Sequence, residues 1–276
     1  MINILFCGND KVFDGMLTCA LSIFKRSKLD EGVRFFVMTM DVSHIKPEYL
    51  PVSDKQMEFF ESVIKRYGEE NSAELIDVTR LYEEEFAGSP NESAYCSPYT
   101  LIRLLADRID ALPDKILYLD VDVMFNRDIN LLYSVDVSDV EYAAARDHYG
   151  KYLISPNYVN AGVMLWNLGK MRDTGLLVKA RELIRQKKLV FADQSAIIRS
   201  TTKKKMLPQK FNDQKLLHKH TVVRHFSKRL FWLPYPHTVN IKQWQVEEVR
   251  KVFKYRQLDD ILDEYIKLIE EYRSNC

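Results

Sequence analysis

Short apolar runs alternate with helical patterns along this chain, and this alternation limits the fold more than any other feature. Strands separated by helices are typical of βαβ units, in which neighbouring strands run parallel. We therefore expect an α/β fold with a mostly parallel mixed sheet flanked by helices. The predicted strands are residues 2–7, 33–39, 75–78, 115–125, 142–146, 162–166 and 222–226, and the predicted helices are residues 15–28, 53–67, 98–112 and 192–200.

Composition indicates one main domain with an appendage. The chain has 276 residues, of which 46% are hydrophobic and 12% aromatic, enough apolar surface for an α/β core. We expect a domain at 1–240 and an amphipathic helical segment at 241–276. With 40 basic and 39 acidic residues the net charge is +1, so charge gives no argument for binding nucleic acid.

The C-terminal segment has apolar residues at helical spacing. We expect it to pack on the main domain or on a partner subunit. Contact with a membrane surface is the alternative, because basic residues lie between 250 and 256, but neighbouring acidic residues weaken it. The apolar residues are Val246, Val249, Val252, Phe253, Leu258, Ile261, Leu262, Tyr265 and Leu268.

The N-terminus and the cysteines favour a cytoplasmic protein. The apolar run at 2–7 is too short for a signal peptide or a membrane span. The four cysteines are Cys7, Cys19, Cys96 and Cys276, and their spacing is not of the zinc-binding type. Cys7 and Cys19 fall in apolar patterns, where a free thiol packs as a small hydrophobe. A reducing compartment is the expectation.

Two aspartates, Asp120 and Asp122, interrupt the apolar run at 115–125. In an extended strand they would project to the same face, whereas a turn beginning after Asp120 would direct both into a crevice. Either arrangement lets them share one cation, because neighbouring buried carboxylates need a positive partner and hard divalent ions prefer oxygen ligands. The alternative is that Asp120 caps a helix and Asp122 is solvated.

Further polar residues cluster at predicted strand ends. Gly8, Asn9 and Asp10 follow the first strand, residues 160–162 precede another, and His225 ends the last one. Ligands of open α/β sheets bind beyond the carboxyl ends of the strands. This clustering predicts a binding site rather than scattered surface polarity.

The ordered motifs resemble glycosyltransferase family 8, which includes glycogenin and the bacterial galactosyl- and glucosyltransferases of lipopolysaccharide assembly. Each motif alone is weak, and their order makes the resemblance specific. It implies a GT-A fold, a UDP-sugar donor, Mn²⁺ or Mg²⁺, and transfer with retention at the anomeric carbon. The motifs are Phe6-Cys7-Gly8-Asn9-Asp10, Arg103, Tyr118-Leu119-Asp120-Val121-Asp122-Val123, Asn160-Ala161-Gly162-Val163, Asp193-Gln194 and His225-Phe226-Ser227.

The resemblance implies a role for each matched residue. Asp120, Asp122 and His225 would hold the metal with two diphosphate oxygens, and an imidazole among oxygens favours Mn²⁺. The cation would stabilise the charge that develops on departing UDP. The expected donor-binding residues are Cys7, Asn9, Asp10, Arg103, Asp120, Val121, Asp122, Asn160, Ala161, Gly162, Lys228 and Arg229.

The catalytic expectation rests on Gln194 and Asp193. A retaining transferase needs either a nucleophile for two displacements or a front-face path assisted by the departing phosphate. Gln194 is a poor nucleophile but can stabilise a cationic centre through its amide oxygen, and Asp193 would hold sugar hydroxyls. We expect the front-face path, although no sequence feature separates the two.

Several assignments keep a structural alternative. His225 could be a hydrogen-bonded core histidine, and Arg103 could form a surface salt bridge. The family usually carries an aspartate where the base binds, so here either the amide of Asn9 or the carboxylate of Asp10 takes that part. Residues 160–162 could be an ordinary turn, and the basic pair at 228–229 a solvated charge run.

The segment after His225 departs from the family. The usual pattern is His-x-x-Gly-x-x-Lys-Pro-Trp, whereas this chain lacks the glycine and is one residue short to Trp232. We therefore expect an altered loop, which bears directly on the phosphate-binding role transferred to Lys228 or Arg229.

The expected function is transfer of glucose or galactose from a UDP-sugar to a saccharide or glycolipid acceptor, a cell-surface glycan precursor, on the cytoplasmic side. Two alternatives stay open. One is a non-catalytic nucleotide-sugar binding protein of the same fold. The other is a haloacid-dehalogenase-type phosphatase, although the aspartate of that class normally ends the first strand.

Overall fold

A mixed sheet organises the computed structural model, which describes residues 1–92, 97–189, 191–231 and 233–275. Cys96, Trp232 and Cys276 lie outside the described residues. The strands are β1 (Ile2–Cys7), β2 (Val33–Thr39), β3 (Ser72–Asp77), β4 (Lys115–Leu119), β5 (Val123–Phe125), β6 (Tyr142–Arg146), β7 (Val159–Asn167), β8 (Lys204–Leu207), β9 (Val223–His225), β10 (Arg229–Phe231) and β11 (His237–Val239).

In the described ranges, seven strands form the main sheet in the order β3-β2-β1-β4-β7-β6-β8. The pairs β1–β2, β2–β3, β1–β4 and β6–β8 are parallel, and β7 runs antiparallel to β4 and β6. The prediction of a mostly parallel mixed sheet is therefore confirmed. β5 pairs with β9 and β10 with β11, both antiparallel.

Helices flank this sheet. The α-helices are α1 (Phe13–Arg26), α2 (Asp54–Lys65), α3 (Thr79–Phe86), α4 (Asn130–Tyr133), α5 (Gly150–Leu153), α6 (Leu168–Thr174), α7 (Leu176–Gln186), α8 (Ala192–Ser200), α9 (Val246–Glu248) and α10 (Asp259–Ser274). The 3₁₀-helices are Asp10–Val12, Pro98–Thr100, Ile102–Arg108, Gln209–Phe211 and Arg256–Leu258, and Val249–Phe253 is a π-helix. The single α-helix expected at 98–112 is thus wrong, because two short 3₁₀-helices take its place.

Side chains of the central strands alternate between two cores, one on each face of the sheet. On β1, Ile4 and Phe6 pack into the core that includes α1 and α2, whereas Leu5 packs into the core that includes α7. This is the period-two alternation of an extended strand. Because both faces of the sheet are covered, the sequence of β1 is an almost continuous apolar run.

The C-terminal segment packs on α1. Ile261, Leu262 and Tyr265 of α10 are buried in the same core as α1, and the Tyr265 hydroxyl donates to Asp14 Oδ1 at 2.8 Å. The expected packing on the main domain is therefore present. The domain boundary at 240, and contact of this segment with a membrane or a partner subunit, stay predictions. None of the described helices has the length and apolar character needed to cross a membrane.

Candidate active site

A turn after β4 places the two aspartates beside each other. β4 ends at Leu119, and Val121 and Asp122 form the turn into β5. The backbone N–H of Asp120 donates to the carbonyl of Gly162 at 2.7 Å, which holds Asp120 at the edge of the sheet. Of the two geometries considered from the sequence, the turn is the one that forms, and both aspartates line one cavity.

β9 brings His225 to the same point. His225 pairs with Val123, the residue that follows Asp122, across the β5–β9 ladder. Its Nε2 lies 3.0 Å from Asp122 Oδ1 and 3.9 Å from Asp120 Oδ2. One ligand atom from each of the three residues lies within 4.8 Å of the others. Two carboxylates and an imidazole are a donor set that can hold Mn²⁺ or Mg²⁺.

A buried amide orients the His225 ring. Asn212 Oδ1 lies 3.1 Å from His225 Nδ1, while Asn212 Nδ2 donates to Asn160 Oδ1 at 2.8 Å. The second bond fixes which end of the amide faces the histidine, so Nδ1 carries the proton and donates. The Nε2 lone pair then faces the Asp122 carboxylate, and the two repel unless a cation or a proton lies between them. This arrangement fits a bound metal.

Gly162 leaves the space that the metal ligands need. A Cβ on this residue would stand 2.4 Å from His225 Cε1 and 2.6 Å from Asp120 Oδ2. Distances below about 3 Å force the neighbours to move, and both neighbours here are metal-ligand candidates. The glycine is therefore required for the close approach of β7 to the site.

Lys242 completes the charge balance at Asp122, and it was not among the residues predicted from the sequence. Its Nζ lies 2.5 Å from Asp122 Oδ2 and donates to the Phe226 carbonyl at 3.1 Å. Burial raises the pKa of Asp122, but the His225 imidazole, with a proton between its Nε2 and the carboxylate, and the Lys242 ammonium outweigh burial and hold this pKa well below its usual range. Asp122 is thus ionised and able to bind a cation.

Arg103 joins the two sides of the site. It donates to Asp120 Oδ1 and to the Ala161 carbonyl, each at 3.0 Å, and its Nε lies 3.2 Å from Asp193 Oδ2. The guanidinium stacks 4.1 Å from the Tyr118 ring centroid. Burial raises the pKa of Asp193, and Arg103 opposes this effect. With only 5% of its surface exposed, Arg103 does not form the surface salt bridge considered as its alternative.

Two adjoining cavities bring most of the predicted residues together. They share Arg103 and Asp120. The larger, of about 280 Å³, also contains Cys7, Asn9, Val121 and Asp122 among its lining residues, together with Lys242 and Trp244. The smaller, of about 170 Å³, also contains Ala161, Gly162, Asp193 and Gln194.

Cys7, Asn9 and Asp10, at and after the end of β1, differ in their surroundings. Asn9 Oδ1 accepts from the Lys11 N–H at 3.3 Å and so caps the short helix Asp10–Val12. Asp10 donates its backbone N–H to the Leu50 carbonyl at 3.1 Å. Burial raises the pKa of Cys7 to about 12, so its thiol is neutral beside the cavity. The choice between Asn9 and Asp10 as base-binding residue stays a prediction, and Asn9 is the one that lines the cavity.

Asn160 and Gln194 both accept hydrogen bonds from the backbone at the start of β7. Asn160 Oδ1 accepts from the Gly162 N–H at 3.0 Å, and its Nδ2 donates to Asp147 Oδ2 at 2.9 Å. Gln194 Oε1 accepts from the Ala161 N–H at 2.9 Å. These bonds fix the start of β7 against α8, so the residues at 160–162 are part of a built site.

The two basic residues after His225 lie away from both cavities. Lys228 is exposed. The Arg229 guanidinium lies over Phe231, 4.7 Å from the ring centroid, and over Phe253 at 5.3 Å. Their phosphate-binding role stays a prediction, and Lys242 is the basic residue that the structure places beside Asp122.

Comparison with known proteins agrees with this geometry. Residues 3–229 match the family described as Glycosyl transferase family 8. The chain belongs to glycosyltransferase family 8. It is 26% identical over 196 residues to glycosyltransferase GlyA of Streptococcus pneumoniae serotype 4, a match that covers 70% of this chain and 25% of GlyA. The chain thus spans about a quarter of the length of that relative.

Solved structures show the same fold. The bifunctional glycosyltransferase WbbM superposes with a TM-score of 0.71 at 15% identity, over 98% of this chain and 51% of WbbM. The galactosyltransferase LgtC, solved with donor and acceptor sugar analogs, gives a TM-score of 0.65 at 20% identity, with 100% of each chain covered. LgtC has also been solved as an active-site mutant in which a glutamine is replaced by glutamate. The sheet of this chain and its flanking helices have the expected GT-A fold.

A short motif in the sequence contains Lys242 and was overlooked in the sequence analysis. The family pattern after the histidine ends in Lys-Pro-Trp, and this chain has Lys242-Gln243-Trp244. The hairpin β10–β11 lies between His225 and this tripeptide. The match to Trp232 stays a prediction, and the lysine and tryptophan of this tripeptide were the signal that could have found Lys242.

Proposed function

We propose that this chain transfers a hexose from a UDP-sugar to a saccharide acceptor, with a divalent cation held by Asp120, Asp122 and His225. The convergence of these three ligands with the half-buried Lys242 at the edge of the sheet carries the proposal. A bound Mn²⁺ or Mg²⁺ supplies a positive charge that offsets the charge developing on the departing diphosphate. Glucose and galactose are the proposed hexoses.

The two cavities suit the two parts of such a donor. The larger one adjoins the end of β1, where nucleotides bind in this architecture, and we assign the UDP moiety to it. The smaller one, beyond Asp120, takes the sugar. Arg103 lies between them with its guanidinium fixed by two carboxylates, so it can contact a diphosphate without reorganising.

Gln194 is the proposed residue at the reacting carbon. It lines the sugar cavity, and its amide oxygen is positioned by the Ala161 N–H. The glutamine replaced in the active-site mutant of LgtC supports a glutamine in this role. Asp193 is engaged by Arg103, which leaves it positioned to fix sugar hydroxyls rather than to attack. We propose transfer with retention by the front-face path.

The acceptor is proposed to be a saccharide or glycolipid that serves as a precursor of a cell-surface glycan. The galactosyltransferase LgtC, which binds an acceptor sugar analog on the same fold, supports a saccharide. We place the reaction on the cytoplasmic side, because the free thiols Cys7 and Cys19 are consistent with a reducing compartment.

A panel of UDP-sugars with MnCl₂, MgCl₂ or EDTA tests the proposal. UDP release that requires the cation is expected, and Asp122→Asn should lower turnover by about 10³-fold, which corresponds to about 4 kcal/mol of lost charge stabilisation. A near-normal rate in Asp122→Asn would contradict the metal assignment. Donor binding without turnover would favour the non-catalytic binder, and phosphate release from phosphoesters would favour the phosphatase.

A further inference from the structure

A third cavity, of about 500 Å³, lies outside the donor site. Its apolar wall includes Leu153, Ile154 and Phe191, of which 82%, 48% and 43% of the surface is exposed. Large apolar side chains left in water at one place mark a surface that binds something. The volume falls within the range of about 300–1,000 Å³ typical of small-molecule sites.

The charged side chains of this cavity are all basic. Lys187, Lys188 and Arg199 line it, and the described residues of its lining include no acid. The described part of the chain shows no ion pair for any of the three. Three cations without a counter-ion repel one another, and an anion with several oxygens would relieve this repulsion. Arginine with lysine is the combination suited to phosphate.

Phe191 connects this cavity to the donor site. It lines both the 500 Å³ cavity and the smaller donor cavity that contains Asp193 and Gln194. Ser195, one turn further along α8, also lines the larger space, and its hydroxyl is 2.8 Å from the Tyr158 hydroxyl. A molecule in this cavity can therefore reach the proposed position of the donor sugar past one aromatic ring.

We propose that this cavity binds the acceptor and that the acceptor is an amphiphilic phosphate, a saccharide joined through a phosphate to an apolar chain. The saccharide lies at Phe191, the phosphate at the three basic residues, and the apolar chain on Leu153 and Ile154. This inference rests on the proposed transferase function, since it names the substrate class of the same site.

Calorimetry on the full chain with three probes tests the chemistry. The probes are octyl glucoside, glucose 1-phosphate, and glucose joined to octanol through a phosphodiester. The third should bind at least about 10-fold more tightly than either of the others, because only it satisfies the basic and the apolar parts together. Equal binding of the three would overturn the proposal.

Variants test whether the basic residues of the cavity bind the phosphate and whether its apolar residues bind the apolar chain. The double variant Lys187→Ala with Lys188→Ala should weaken the two phosphate probes about 10-fold and spare octyl glucoside. Leu153→Ser should weaken the two octyl probes and spare glucose 1-phosphate. The matched controls, exposed residues outside this cavity, are Lys170→Ala and Leu131→Ser, and these should bind all probes like the wild type. Melting temperatures show that each variant is folded.

Two further outcomes are decisive. Phosphatidylglycerol vesicles that bind without any sugar, and lose binding in the lysine double variant, would mean that the cavity contacts a lipid surface, which overturns the acceptor proposal. Failure of the transferase function is distinguishable, because hydrolysis of the donor, in which water accepts the sugar, releases UDP in the donor panel without any saccharide acceptor. A chain that releases UDP but binds the three probes equally loses only this inference.

Discussion

The ammonium nitrogen of Lys242 lies 2.5 Å from one carboxylate oxygen of Asp122, and the other oxygen lies 3.0 Å from the imidazole of His225. The carboxylate therefore has a positive partner within the protein before any metal binds. A divalent ion bound by Asp122 and His225 would take over part of this role, and the ammonium could then contact a diphosphate oxygen. We therefore expect Lys242 to neutralise Asp122 when no metal is bound and to contact the diphosphate when the donor is bound.

Removal of the Lys242 ammonium should make the free energy of unfolding depend on the bound metal. In Lys242→Met the buried carboxylate of Asp122 loses a charged hydrogen-bond partner, and we expect a loss of about 1–3 kcal/mol in the free energy of unfolding. MnCl₂ should restore most of it, because the ion supplies the missing charge. Thermal unfolding with and without MnCl₂ measures both effects. The exposed Lys251→Met is the control, and an equal response of the two variants would contradict this role.

Gly162 should be intolerant of even one methyl group. Gly162→Ala places a Cβ against His225 and Asp120, so the metal ligands must separate. We expect metal-dependent UDP release to fall by at least about 10²-fold, the order of effect seen when one stabilising group is displaced. Gly88→Ala is the control, because a Cβ at this position meets no atom within 4 Å. The backbone φ of +72° at Gly88 is strained for alanine. Gly88→Ala should lose stability but keep activity, and activity retained in Gly162→Ala would refute the packing argument.

Asn212 should control metal affinity through His225. Asn212→Ala removes the acceptor that fixes the proton on Nδ1, so the ring loses its orientation. Loss of such a supporting hydrogen bond typically weakens metal binding about 10–100-fold. Titration with MnCl₂, followed by the paramagnetic relaxation of water, gives the affinity. Asn71→Ala, another buried asparagine whose amide donates to the Ile64 carbonyl, should lose stability with metal affinity unchanged.

The strands were predictable wherever both faces of the sheet are covered. β1 and β2 have the predicted bounds, because strands buried on both faces are continuous apolar runs. β8 was missed, since Lys204 and Lys205 place charge on an edge strand. The 3₁₀-helix Ile102–Arg108 was taken as α-helical from Pro98 and the leucines at 101, 104 and 105. Every residue from 101 to 106 is buried, so hydrophobic periodicity carries no information about the helix type there.

The site was predictable where its residues follow strands directly. Asp120 and Asp122 follow an apolar run, and His225 ends one, so local sequence identifies them. Lys242 comes after the hairpin β10–β11, and Asn212 acts only through its contact with His225. Contacts of that kind depend on the folded chain, which no local pattern encodes.

The contact between α1 and α10 should weaken in acid. Arg26 donates to both carboxylate oxygens of Asp260, at 2.8 and 2.6 Å, and these hydrogen bonds lower the pKa of Asp260 below its usual 3.8. A lowered folded-state pKa contributes stability that is complete above 3.8 and is lost as the pH falls through the folded value. Because Asp260 is 49% exposed, solvent screening limits the contribution to at most about 1 kcal/mol.

Asp260→Asn tests this dependence. Its melting temperature should lie below that of the wild type at about pH 6, and the difference should shrink as the pH falls below 3.8, where the wild type also loses the charge. Asp110→Asn, at an exposed position with no ion pair in the described ranges, should show a smaller difference at the same pH. A difference for Asp260→Asn that stays constant down to about pH 2.5 would mean that α10 is held on α1 by its apolar face alone, with no contribution from the Arg26 pair.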